Sequence, residues 1–76
     1  MEIDLTKLPP GHRGVIVRVE GGVGFIKKLE YMGIRQGKIV RKISSHFLRG
    51  PQTVRVDNFD VAIGFGMARK IFVKEV

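Results

Sequence analysis

The chain has 76 residues, no cysteine, 43% hydrophobic residues and a net charge of +7 from 14 Lys and Arg against 7 Asp and Glu. The lack of cysteine excludes disulfides, thiolate zinc sites, iron–sulfur clusters and cysteine nucleophiles, and one domain of this size, burying only about 60% of its unfolded surface, has little room for a deep catalytic cleft. No apolar run approaches the roughly 20 residues needed to cross a bilayer, and the acidic, proline-broken start MEIDLTKLPP is unlike a signal peptide, so the expected location is the cytoplasm.

Ile3, Leu5 and Leu8 come first, with Leu5 and Leu8 expected to tuck under the core as a lid before the turn at Pro9, Pro10 and Gly11. His12 and Arg13 lead into a strand from Gly14 to Glu20, where Val15, Val17 and Val19 alternate with Ile16 and Arg18. Gly21 and Gly22 break it. A helix follows over about Val23 to Met32, since Phe25, Leu29 and Met32 share one helical face. Gly33 then supplies the left-handed stop, and Ile34 is placed to seal that end with an apolar contact. Its start lacks a Ser, Thr, Asp or Asn cap.

A second strand is predicted from about Lys38 to Ser44, with Ile39, Arg41 and Ile43 on one face and Val40 and Lys42 on the other. Ser45 to Gln52 is a polar loop that holds the apolar pair Phe47 and Leu48 between His46 and Arg49. A third strand covers Thr53 to Val56, Asp57 and Asn58 mark a tight turn, and a fourth strand covers Phe59 to Ile63. Gly64, Phe65 and Gly66 bend the chain, Met67 and Ala68 form a single helical turn, and a fifth strand runs from Lys70 to Val76 with Ile71 and Val73 inward. Five short strands punctuated by Gly, Pro and Asn predict a mainly β fold: a small SH3-like antiparallel barrel, with one short helix inserted after the first strand. A five-stranded OB-type barrel is the alternative.

Catalysis needs a positioned nucleophile, an acid–base pair or a metal, and the sequence offers little of this. His12 and His46 are the weak metal-ligand candidates. They lie on separate turns, and no carboxylate stands at a spacing that forces contact with either, so no metal, cofactor or enzymatic activity is expected. Gly21, Gly22 and Gly24 before a helix lack the spacing and the Lys-Ser or Lys-Thr pair of a phosphate loop. The charge excess suits nucleic acid, an anionic membrane face, an acidic protein partner or a plain solvated surface. For nucleic acid, Tyr31, Phe47, Phe59 and Phe65 would supply stacking and Arg41, Lys42, Arg49 and Arg55 the basic groove. Phe25, Phe72 and Phe59 are instead assigned to packing. Phe47 and Leu48, apolar and ringed by basic residues in a loop, suit a protein-docking tip.

The chain resembles the FeoA family, ferrous iron transport protein A, over nearly all its length. Leu5, Leu8, Gly11 and the run Val15, Ile16, Val17 match the opening; Leu29, Met32, Gly33, Ile34 and Gly37 match its most specific motif. Gly50, Pro51, Val54 and Val56 match the next block, and Val61, Ala62, Ile63, Ala68, Ile71 and Val73 the closing one. Gly64 and Met67 stand where the family commonly has an Arg and often a Glu. The resemblance implies an SH3-like barrel acting as a small cytosolic, non-enzymatic accessory that docks on the GTP-binding part of a FeoB-type ferrous iron transporter. A related barrel forms the C-terminal domain of metal-dependent repressors of the diphtheria toxin repressor type, which makes a metal-responsive regulator the alternative beside nucleic-acid binding. The residues expected to meet the partner are Phe47, Leu48 and Arg49, then Arg35 and Arg41. Self-association is left open by the sequence.

Overall fold

The computed structural model describes residues 1–46 and 48–76; the expectation placed on Phe47 lies outside them. In chain order the elements are strand β1 (Glu2–Asp4), a 3-10 turn (Leu5–Lys7), β2 (Arg13–Val19), helix α1 (Val23–Tyr31), β3 (Ile39–Ser45), β4 (Gln52–Val56), β5 (Phe59–Ile63), helix α2 (Phe65–Ala68) and β6 (Ile71–Glu75). All strand pairings are antiparallel, in the order β1-β6-β2-β3-β4-β5.

This corrects the five-stranded barrel. Among the described residues there are six strands and no ladder joins β5 to β1, so the sheet they form is not closed. The added strand is β1, where Ile3 pairs with Val73 of β6; α1 consequently follows the second strand. Leu5 and Leu8 do tuck inward, both fully buried, and Asp4 caps the turn between them by accepting from the Thr6 amide at 2.9 Å. The sheet curls around one core, built from Leu5, Leu8, Ile16, Leu29, Ile34, Val40, Val54, Val56, Ile63, Ala68, Ile71 and Val73. Extents of 28 × 26 × 26 Å reflect that curl.

The helix stop is as the sequence predicts. Met32 ends α1, Gly33 takes φ 85°, its amide donates to the Glu30 carbonyl at 3.0 Å, and the Ile34 amide donates to the Leu29 carbonyl at 2.9 Å. These are the paired hydrogen bonds of a Schellman ending, and the buried Leu29 and Ile34 supply its apolar contact.

Two bulges decide which side chains face out. In β2 the register shifts between Ile16 and Arg18, so Ile16 opposes Val73 and Arg18 opposes Phe72. Simple alternation would put Ile16 and Arg18 on one face; the extra residue turns Arg18 outward while Ile16 stays buried. There its guanidinium lies 3.9 Å over the Phe72 ring and is held by Glu2 and Glu20. In β3 the shift falls between Lys42 and Ser44, which brings Ser45 opposite Gln52.

Candidate docking surfaces

Each expected partner residue sits on a different part of the surface. Leu48 and Arg49 form the tip of the β3–β4 connection, both in left-handed backbone at φ 58° and 62°. Leu48 is 97% exposed. Arg49 reaches toward α2, 5.9 Å from the centre of the Phe65 ring, and Arg69 lies over the same ring at 6.0 Å. The tip thus joins α2 in a patch that is apolar at Leu48 and Phe65 and basic around them.

Arg35 follows the helix stop and lines a hollow of about 330 Å³ with Lys27, Glu30 and Tyr31. Tyr31, 92% exposed, also borders a second hollow of about 350 Å³ with Met32, Gly33, Val56, Asp57 and Phe59. Phe59 is 72% exposed, which corrects its assignment to packing. It shares the inward parity of Val61 and Ile63, but it opens the edge strand β5 beyond the limit of the core.

Arg41 lies on the outer face of the sheet. It pairs directly with Arg13 of β2 and Arg55 of β4, and Arg55 pairs with Asp60 of β5. Arg55 donates to Asp60 through Nε at 2.7 Å and Nη2 at 3.2 Å, and these bonds hold the Asp60 carboxyl below its usual range. Arg13, Ile39, Arg41, Arg55 and Asp57 line a hollow of about 260 Å³.

Lys42 belongs to no surface. Its side chain is completely buried, with Nζ 2.8 Å from the Leu8 carbonyl, 2.5 Å from Gln52 Oε1 and 3.3 Å from Ser45 Oγ. Its place in a basic groove for single strands is therefore withdrawn. Burial pushes its pKa down to about 8, against a smaller opposing pull from Asp4.

His12 is paired through Nδ1 with Glu75, and His46 is exposed at the end of β3. Among the described residues no three His, Asp or Glu side chains converge as a metal site would require. The Arg13–Arg41–Arg55 row and the Tyr31–Phe59 hollow were not assembled from the sequence. Arg41 and Arg55 each stand between inward positions, a visible signal, but which strands lie abreast is not written in either of them.

The FeoA domain family matches residues 3–75. A fusion protein of Fe(2+) transport protein A and the Fe(2+) transporter FeoB, from Porphyromonas gingivalis, is 36% identical over 70 residues; these cover 92% of this chain and only 8% of the fusion protein's length. The crystal structure of an iron uptake regulatory protein, FeoA, superposes with a TM-score of 0.90 at 30% identity, covering 100% of this chain and 99% of that one. A manganese-dependent transcriptional repressor gives a TM-score of 0.89 at 20% identity over 99% of this chain and 42% of the repressor, a likeness of fold alone. With residues 3 through 75 matched to its model, the chain belongs to the FeoA domain family.

Proposed function

We propose that this protein is a cytoplasmic, non-enzymatic accessory of ferrous iron uptake, which docks on the cytosolic GTP-binding part of a FeoB-type transporter and modulates it. The observation that carries this reading is the Porphyromonas gingivalis protein, in which a segment 36% identical to this chain is fused to FeoB. Fusion holds two modules at high effective concentration and favours pairs that work in contact. The surface suits such a role. Leu48, Tyr31 and Phe59 leave large apolar side chains in solvent, Leu48 next to Arg49 and Tyr31 beside Lys27 and Arg35. No helix among the described residues is long and apolar enough to cross a membrane.

The test is capture of the purified cytosolic domain of the organism's FeoB-type transporter by the immobilised protein, with the domain's GTP hydrolysis rate measured alongside. Capture by the wild type, weakened by Leu48→Ala combined with Arg49→Ala, is expected. Failure of the wild type to capture the domain in any nucleotide state overturns the reading.

A further inference from the structure

Arg13, Arg41 and Arg55 lie abreast on three adjacent strands, all exposed. Like charges directly opposite one another destabilise a sheet, and nothing in the core calls for arginine at these outward positions. Asp60 occupies Arg55, and Asp57, the carboxylate that lines this hollow, is taken by Lys38, whose Nζ lies 3.0 Å from both its oxygens. Arg13 and Arg41 make no ion pair among the described residues. Ile39 and Ile43 flank Arg41 along β3 and are 50% and 37% exposed. A row that costs stability, keeps two unmatched guanidinium groups and is edged with aliphatic surface is a local conflict of the kind found where a protein meets a ligand.

We propose that this row receives an acidic amphipathic helix of a protein partner, laid across the strands. Cross-strand neighbours stand about 4.5–5.5 Å apart at Cβ, and helix positions three or four residues apart are about 5–6 Å apart. Carboxylates at i, i+4 and i+7 therefore meet successive arginines, whose planar forks take carboxylates bidentately. An extended acidic segment repeats every second residue, at about 6.6 Å, and drifts out of step. Ile39 and Ile43 offer apolar contact to the flanks of a helix; they offer nothing to bases, and among the described residues no aromatic ring lines this hollow. The proposal deepens the docking role above and takes from it only that the partner is a protein.

The test uses the full chain and three probes: an alanine-based helical peptide with glutamates at i, i+4 and i+7 flanked by leucines, a peptide of the same composition with its glutamates spread around the helix, and a poly-dT oligonucleotide. Binding is followed by fluorescence anisotropy and by amide shifts. The facial peptide should bind about tenfold or more tighter than the spread one, shifting the amides of Arg13, Arg41 and Arg55. Arg41→Glu should abolish that preference. Lys28→Glu, the same charge change on α1, should leave it intact. Equal binding of the two peptides, equal loss in both variants, or tighter binding of the oligonucleotide at this row overturns the proposal. If the facial peptide binds through Arg41 but the transporter domain is not captured, the row stands and the choice of partner falls. If the domain is captured equally by wild type and Arg41→Glu and the peptides are not distinguished, the row falls and the partner stands.

Discussion

The ammonium of Lys42 lies 2.5 Å from Oε1 of Gln52, and both side chains are shut away from solvent. The bulge in β3 creates this arrangement by rotating Ser45 toward the same face, where its hydroxyl donates to Gln52 Oε1 at 2.9 Å. Three acceptors surround three ammonium protons, so the buried group is satisfied, as burial of a charge requires.

Stability should rise with pH between about 8 and 10.5 because of Lys42. Its folded pKa of about 8 lies below the ordinary 10.5, so in that window the unfolded chain binds more protons than the folded one, and raising the pH favours folding. Below about 8 the charged form is present in both states and the cost of burying it is borne in full. At about 1.4 kcal/mol per pH unit the gain totals roughly 3 kcal/mol. Denaturant melts of the wild type and Lys42→Met across this range should diverge accordingly; parallel curves would mean the lysine does not titrate there.

Gln52→Leu should cost about 1.5–3 kcal/mol, the range for a hydrogen bond to a charged group. The leucine fills much of the volume, so the loss reports on the ammonium left short of an acceptor. It also frees the Gly50 carbonyl, which accepts from Gln52 Nε2 at 3.3 Å. Faster amide exchange at Arg49 and Gly50 should accompany the drop; a stability equal to wild type would show that water replaces the amide.

Arg41→Glu should stabilise the fold. It exchanges two like-charge neighbours, Arg13 and Arg55, for two opposite ones, at about 0.2–1 kcal/mol for each cross-strand pair. The gain should shrink in high salt, since the row is solvent-exposed. A melting temperature below that of the wild type at low salt would mean that the three arginines do not repel.

Gly33→Ala should lose about 1 kcal/mol or more, because φ at Gly33 is 85° and a side chain there is strained. Space is not the obstacle: the added Cβ would meet only Val56, at 3.6 Å or beyond. Gly64→Ala is the control, at ordinary φ with nothing within 4 Å. Equal losses in thermal melts would remove the conformational explanation of the helix stop.

Leu29, Gly33 and Ile34 were legible because a helix stop is local: period, glycine and sealing residue lie within a few positions of one another. The same holds for Val54 and Val56, and for Ile71 and Val73, whose alternation alone sets their face. Phe59 followed the alternation too, yet stands in solvent, because parity fixes the side of a strand and not how far the core extends beneath it. The pairing of Glu2–Asp4 with β6 was not legible either, since three residues carry too short a pattern to show a period.

By itself, then, the chain determined its elements apart from β1, most of its apolar faces, its helix ending and the family they resemble, all of which depend on neighbours in sequence. Only the tertiary structure decided that Lys42 is interior, that Arg18 turns out over Phe72, and that Arg13, Arg41 and Arg55 stand in one row. Those outcomes hang on bulges and on cross-strand register, where a shift of one residue reverses every side chain, and register is set jointly by strands far apart in the chain.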